Sequence, residues 1–135
     1  MEIDVLNKTR TVIDVYLVKK ISKQFLKKYK KEGLDLSIVF VGDKRMRNIN
    51  KKYRKYDKVT DILSFDGEGE SFGELIIDYA QIRRQSKKFN NSIKNEMVFI
   101  LVHGLFHLLG YEDRTEKEEK KMIGLGEDFI KKLEK

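Results

Sequence analysis

The most apolar part of the chain lies in residues 92–109, where almost every position after Glu96 is hydrophobic. A helix that is apolar on all sides is buried, so we predict that this segment forms the central helix of the fold. Ser92 is suited to cap its first turn, and Gly110 is suited to end it.

Weaker patterns elsewhere predict four strands and four further helices. Alternating or short β-branched runs predict strands around Ile3 and Val5 and at 36–41, 61–65 and 73–78, with the sequence DGEGES as the turn between the last two. Helical spacing predicts helices at 12–31 (ending at Gly33), 43–53 (capped by Asp43), 79–89, and from Thr115 to the C-terminus, where Thr115 and Glu118 have capping-box spacing.

Strands and helices are mixed without strict alternation, which favours an α+β architecture with a small sheet. The chain has 135 residues, with no repeat, linker or low-complexity block, so we expect residues 1–135 to form a single domain.

The net charge of +7 is unevenly distributed. Residues 1–60 carry 17 basic and 7 acidic side chains, whereas residues 61–113 carry 5 and 9. A basic excess suits an anionic partner such as nucleic acid. We interpret the lysines of 19–31 as the solvated face of an amphipathic helix. The stretch 44–58 also contains Tyr53 and Tyr56, and basic residues with aromatic ones are typical of single-strand binding surfaces. Its candidate residues for binding a nucleic-acid strand are Lys44, Arg45, Arg47, Lys51, Lys52, Arg54 and Lys55.

Several absences exclude classes of site and location. Without cysteine the chain has no disulfide or thiolate metal site, so any metal must be held by histidine or carboxylate groups. The first ten residues lack the apolar core of a secretory signal, and no apolar run is long enough to span a membrane. We therefore expect a cytoplasmic protein without a membrane partner.

His103 and His107, the two histidines of the chain, lie four residues apart on the predicted central helix. Residues with this spacing share one face, so both imidazoles can reach one metal ion. The alternative is a pair of core histidines with satisfied hydrogen bonds. Asp113 follows after the turn at Gly110, within the string HGLFHLLGYED.

Two imidazoles and one carboxylate suit a single zinc ion with an open fourth position, which is the arrangement of a catalytic site. Zinc lowers the pKa of a coordinated water to about 7. The helix resembles the H-E-x-x-H helix of zinc proteases, but Gly104 stands where the catalytic glutamate would be, which disfavours peptide hydrolysis. Glu112 is a further candidate ligand or base, or else a solvated turn residue.

HGLFHLLGYED resembles the H-G-x-x-H-L-x-G-Y-D-H motif of the YbeY family of metal-dependent endoribonucleases. INKKYRKYDKVTDILSF at 49–65 and FGELIID at 72–78 are similar to two further segments of that family. The resemblance covers nearly the whole chain. It implies an α+β domain with a mostly parallel four-stranded sheet, a metal on the central helix, and action on single-stranded RNA.

The resemblance also assigns residues. The first two histidine ligands of the family correspond to His103 and His107, and its motif arginine corresponds to Arg54. Asp113 stands where the family has a third histidine, so we expect a site of altered charge. Arg54 is then expected to stabilise charge on the scissile phosphate, because its guanidinium is permanently charged and planar. The alternatives for Arg54 are a general phosphate contact or a structural ion pair with Asp57 or Asp61.

Thr60, Asp61 and Ser64 also match the family pattern, and we interpret them as strand-entry and supporting residues. The resemblance implies a zinc-dependent endoribonuclease that matures the 3′ end of small-subunit ribosomal RNA and acts in ribosome quality control on the small subunit. Two alternatives remain: a ribosome-associated RNA-binding or assembly factor with a structural metal, and a protease-like metal hydrolase. If RNA is the substrate, we expect the stretch 44–58 to form one wall of a groove above the metal.

Overall fold

The computed structural model describes residues 2–133, which form four strands and five helices. In chain order the elements are β1 (Ile3–Asn7), α1 (Val15–Lys28), β2 (Asp35–Val41), α2 (Asp43–Arg54), β3 (Ile62–Asp66), β4 (Ser71–Asp78), α3 (Tyr79–Lys88), α4 (Ile93–Leu108) and α5 (Glu116–Lys131). The α+β prediction is confirmed. The last two residues of the helix predicted after Thr115 lie outside the described residues.

The sheet has the strand order β1-β2-β4-β3, with β3 at one edge. β1 pairs with β2, and β2 with β4, in parallel, whereas β3 and β4 form an antiparallel hairpin. The sheet is therefore mostly parallel and four-stranded, as predicted. Its edge strand β3 is the one that reaches the candidate site.

Side chains of the strands point alternately to the two faces of the sheet, so the interior has two apolar clusters. Ile38, Leu75 and Ile77 belong to the main core with α1 and α4, whereas Val41 and Ile76 face a smaller cluster with Met46 of α2. This alternation follows from the two-residue period of a strand. As a result α2 packs on the opposite face of the sheet from α4.

α4 is the central helix that the sequence predicts. Of its sixteen residues, ten are buried, and Ser92 caps its first turn by accepting a hydrogen bond from the backbone N–H of Asn95. Gly110 ends the helix region with φ +111°, a conformation that glycine adopts without strain. None of the helices within residues 2–133 is both long and apolar enough to cross a membrane.

The ends of two helices differ from the predictions. α1 begins at Val15, because the Asp14 side chain accepts a hydrogen bond from the N–H of Leu17. It ends before Lys30, which takes the left-handed conformation (φ 58°) predicted for Gly33. The N-cap of α2 is Gly42 and not Asp43. The predicted cap role of Asp43 is wrong, because its carboxylate is engaged elsewhere.

Asp43 forms two hydrogen bonds with the guanidinium of Arg84, at 3.0 and 2.8 Å, and so ties α2 to α3. Asp78, at the end of β4, is fully buried and caps α3 through one carboxylate oxygen. Burial and the adjacent Asp43 carboxylate raise the pKa of Asp78 to about 7. Hydrogen bonds from Arg84 and Asp78 lower the pKa of Asp43 to about 2. The pairing of Asp43 with Arg84 therefore holds α2 against α3, beside the Asp78 carboxyl group, which keeps its proton below about pH 7.

Candidate functional site

The two histidines project from α4 into one cavity, as their spacing predicts. The side chain of His103 is 18% exposed and that of His107 is 25% exposed, so neither is enclosed in the core. Their ring centroids lie 4.8 Å apart, with the ring planes nearly perpendicular. Both imidazoles are therefore positioned to bind the same ligand.

Asp113 completes a three-residue group with these histidines. The chain reverses at Gly110, and one carboxylate oxygen of Asp113 lies 3.1 Å from Nε2 of His103 and 3.4 Å from Nε2 of His107. The ligand atoms of the three residues lie within 4.8 Å of one another. We call His103, His107 and Asp113 the metal-ligand group.

Two further contacts orient the imidazoles. Nδ1 of His107 lies 3.0 Å from the backbone oxygen of Tyr111, and a carbonyl can only accept, so Nδ1 carries the proton. That tautomer leaves the lone pair of Nε2 directed into the cavity. The ring of Phe99 stacks on His103 at 6.1 Å between centroids.

The charge state of Asp113 fits a cation site. Burial by itself raises the pKa of this carboxyl group, but its hydrogen bond with His103 and the proximity of both imidazoles outweigh burial. The pKa of Asp113 therefore lies below its ordinary value, and the group offers an ionised oxygen. Two imidazole nitrogens and a carboxylate oxygen are an acceptable donor set for zinc and for other divalent transition metals.

The cavity around the metal-ligand group has a volume of about 690 Å³. Its walls come from β3 and the residues before it, from α4, from the loop after α4, and from α5. Thr60, Asp61 and Ser64, the supporting residues predicted from the sequence, all line it. We call this space the metal-site cavity.

Arg54 lines the same cavity from the end of α2. Its predicted alternative as a structural ion pair is not what the structure shows. Asp57 pairs with Arg47 at 2.7 Å, and Asp61 accepts a hydrogen bond from Gln85. Within residues 2–133 the guanidinium of Arg54 has no carboxylate partner, and it lies 6.0 Å from the ring centroid of Tyr56.

The other candidate RNA-binding residues lie elsewhere on α2. All are exposed, but the sheet separates most of this helix from α4. Lys44, Arg47 and Lys51 line a second groove, of about 470 Å³, together with Asp43 and Asp57. Arg45, Lys52 and Lys55 line neither space. At the metal-site cavity the predicted basic wall therefore consists of Arg54, and RNA contact by the other six residues stays a prediction.

Gly104 faces the sheet and not the cavity. A Cβ atom at this position would lie 2.5 Å from Cδ1 of Ile62 and 3.1 Å from Cδ2 of Leu75. The glycine therefore allows α4 to approach β3 and β4 closely. A protease-type glutamate at this position would require the side chains of Ile62 and Leu75 to move, or the helix to shift away from the sheet.

Several cavity residues were not identified from the sequence. Phe99 lies four residues before His103, so helical spacing could have indicated it. Glu119 and Ile123 also line the cavity, but they belong to α5, and nothing local to that helix indicates the contact. Glu112, which the sequence did indicate as a candidate ligand or base, lines the cavity, is exposed, and lies 3.4 Å from Arg114 in an ion pair.

Comparisons with known proteins agree with the motifs. The family profile described as "Endoribonuclease YbeY" matches residues 4–134. The protein named Endoribonuclease YbeY from Acholeplasma laidlawii (strain PG-8A) is 39% identical, over 76% of this chain and 77% of its own length. The one from Bacillus thuringiensis (strain Al Hakam) is 34% identical, over 95% of this chain and 93% of its own.

The fold has a solved counterpart. The solution structure of a Thermotoga maritima protein superposes with a TM-score of 0.72 over 97% of this chain and 88% of that chain, at 22% sequence identity. This likeness supports the fold, and the family assignment rests on the profile and on the curated relatives. The chain belongs to the YbeY family of endoribonucleases.

Proposed function

We propose that this protein is a metal-dependent endoribonuclease that cleaves single-stranded RNA at the metal-site cavity. One observation carries the proposal: an arginine without a carboxylate partner among residues 2–133 and a two-histidine, one-aspartate group line the same open cavity, although they come from opposite faces of the sheet. The names of the curated relatives supply the reaction class.

The metal-ligand group is proposed to hold one divalent cation, with zinc as the first candidate. When bound, such an ion polarises a phosphoryl oxygen and lowers the pKa of a coordinated water. The contribution of the protein is to present two neutral imidazole nitrogens and one ionised carboxylate towards a single point. The hydrogen bond between His107 and Tyr111 maintains the required tautomer of that histidine.

Arg54 is proposed to bind the scissile phosphate. Phosphodiester cleavage gathers negative charge on the nonbridging oxygens, and a guanidinium that is already in place stabilises this charge without reorganisation. Its planar fork can donate two parallel hydrogen bonds to phosphate oxygens. Because Arg54 has no carboxylate partner within residues 2–133, no ion pair must break before it binds a phosphate.

The substrate, the reaction and the cellular location are also proposed. We propose that the substrate is ribosomal RNA and that the protein matures the 3′ end of the small-subunit RNA, with a further role in ribosome quality control. The proposed site of action is the cytoplasm. The support comes from the family and from the basic first half of the chain, because a basic surface steers an anionic substrate towards a site.

Cleavage of a labelled single-stranded RNA tests this function. The purified protein is incubated with the RNA after chelation and again after addition of zinc, in parallel with His103→Ala and with a peptide substrate. We expect cleavage that depends on zinc and is lost in His103→Ala, with no peptide hydrolysis.

Two other outcomes of this experiment would each support a different class of protein. Stoichiometric zinc without RNA cleavage would favour an assembly factor, in which removal of His107 unfolds the protein. Zinc-dependent peptide hydrolysis would favour the protease-like alternative, which the packing of Gly104 disfavours.

A further inference from the structure

A groove lined by lysines runs between α1 and α5, apart from the metal-site cavity. Its volume is about 600 Å³. Within residues 2–133 no acidic side chain lines it. Its lining includes Lys20, Lys23, Lys27 and Lys28 of α1, and Phe129 and Lys132 at the end of α5. We call this space the lysine groove.

The lysine groove carries uncompensated charge. In the part of the chain that the structure describes, none of its five ammonium groups pairs with a carboxylate. The Nζ atom of Lys28 lies 5.8 Å from the ring centroids of both Tyr29 and Phe129, which fixes one positive charge over the groove. Like charges that line one groove favour a ligand with several negative charges along its length.

The charged side chains of α1 are all positive, which solubility alone does not require. Its inner face is buried through Val18, Ile21 and Phe25, so its outer face must be polar. That face could carry both signs of charge in mutually stabilising pairs. Residues 15–28 instead contain five lysines and no acidic residue. A solvated helix face explains why four of these five side chains are exposed, but not why all five have the same sign of charge.

Tyr16 adds an exposed aromatic ring to the face of α1 that carries the lysines. Tyr16, Lys20, Lys23 and Lys27 are separated by four, three and four residues, so they lie on one face of α1. The side chain of Tyr16 is 77% exposed. Exposed rings beside basic grooves are stacking platforms for the bases of a single strand. Phe129, by contrast, is buried and cannot stack on a base from the floor of the groove.

α5 connects the lysine groove to the metal-site cavity. Glu119 and Ile123 line the cavity, whereas Phe129 and Lys132 line the groove. At 1.5 Å per residue, the stretch from Glu119 to Lys132 spans about 20 Å. The two spaces therefore lie about 20 Å apart along the axis of α5 but on different faces of it, so a strand that occupies both must cross this helix.

We propose that the lysine groove binds the sugar-phosphate backbone of the RNA strand outside the segment that is cleaved, and that Tyr16 stacks on one of its bases. The proposal rests on the proposed function for the identity of the ligand. The recognition is independent of sequence, because lysine contacts to phosphates carry no base information. The groove sets affinity for long strands, and the metal-site cavity performs the reaction.

Binding of a fluorescent, cleavage-resistant 2′-O-methyl single strand, measured by anisotropy over a range of salt concentrations, tests the proposal. In Lys23→Gln/Lys27→Gln we expect affinity for a long strand to fall about tenfold, and the slope of log affinity against log salt to shrink by roughly 1.4, since each lost phosphate contact removes about 0.7. Tyr16→Ser should weaken binding with the slope unchanged, because stacking releases no counterions.

The matched control is Lys87→Gln/Lys94→Gln, which removes the same charge from exposed positions outside the groove. Equal weakening in both pairs, or no change in the groove pair, would overturn the proposal; the latter result would point to a different occupant, such as an acidic protein. If the first pair does not fold by circular dichroism, Lys20→Gln/Lys132→Gln provides the same test from two separate helices.

A cleavage assay distinguishes an incorrect groove proposal from an incorrect proposed function. Zinc-dependent cleavage of a short strand that fills only the metal-site cavity should be unchanged in the groove variants. If the wild-type protein cleaves this strand but the groove variants bind the long strand normally, only the groove proposal fails. If the wild-type protein cleaves no RNA, the proposed function fails regardless of the anisotropy result.

Discussion

The carbonyl oxygen of Tyr111 lies 3.0 Å from Nδ1 of His107 and so determines which nitrogen of that ring faces the metal-site cavity. Nε2 of His107 and Nε2 of His103 both approach one oxygen of Asp113, an ionised acceptor. These three atoms lie close enough together to hold one cation in place of the proton between His103 and Asp113. The loop after α4 therefore brings the three groups together before any substrate is present.

The first prediction concerns Asp113 as a metal ligand. We expect Asp113→Asn to lower zinc affinity at least tenfold, because a neutral amide oxygen is a poorer ligand than a carboxylate, whereas Asp113→His should retain tight binding through a third imidazole. Competition titration against a chromophoric chelator measures both affinities. Glu112→Gln is the adjacent control and should bind zinc like the wild type. An equal loss of affinity in Asp113→Asn and in Glu112→Gln would show a general charge effect.

The second prediction concerns Arg54 as the phosphate-binding residue. Arg54→Ala should lower kcat for RNA cleavage by about 10²–10³, the usual effect of removing one preorganised donor from a transition state. Zinc stoichiometry and the thermal unfolding temperature should not change, because Arg54 is exposed and has no ion pair to lose among the described residues. Arg54→Lys should recover only part of the rate, since an ammonium group lacks the planar fork.

Arg83→Ala removes the same charge from an exposed position on α3 and is the matched control for Arg54. It should cleave at close to the wild-type rate. A catalytic role for Arg54 would be refuted if Arg54→Ala unfolded the protein, or if both variants slowed cleavage equally.

The third prediction concerns the contact between α4 and the sheet. Gly104→Ala should destabilise the protein by about 1–3 kcal/mol, because the new Cβ overlaps Ile62 and crowds Leu75 in a packed core. Gly124→Ala is the control, since a Cβ there meets no atom within 4 Å. Because Gly124 is an exposed glycine inside a helix, its substitution should stabilise the protein by about 0.5–1 kcal/mol. Chemical denaturation measures both; similar changes in the two variants would mean that α4 does not depend on this close approach.

The fourth prediction concerns the buried carboxyl group of Asp78. Its folded-state pKa is about 7, well above its value in an unfolded chain, so between pH 4 and pH 7 unfolding releases a proton. Rising pH therefore lowers stability across this window, and the loss is complete above pH 7. We expect the free energy of unfolding from urea titrations to decrease from pH 5 to pH 8.

Asp78→Asn should remove this dependence. Its side-chain oxygen can still cap α3, and its amide can donate to Asp43, so the variant should be more stable than the wild type at pH 8, by about 1–2 kcal/mol. Asp128→Asn, at an exposed position on α5, should follow the wild-type profile. An unchanged pH profile in Asp78→Asn would show that another group is responsible.

Much of the site could be predicted from local sequence because its two histidines lie on one helix, at a spacing that matches the helical period. His103 and His107 share a face through their spacing alone, and the apolar residues around them require a buried helix. Ser92 and the capping box of Thr115 and Glu118 lie at the starts of α4 and α5 because caps depend on neighbouring residues. Asp43 departed from this rule because a partner distant in sequence, Arg84, competes for its carboxylate.

The sequence by itself determined the strands, the central helix, the histidine pair and the family, since each depends on residues close together in the chain or on whole motifs. Only the tertiary structure decided that Arg54 reaches the cavity from the other face of the sheet while most of the basic stretch does not. It also decided that the lysines of α1 meet the end of α5 in one groove. The physical reason is that these relationships follow from the packing of helices against the sheet and against each other, which brings together residues that no local period relates.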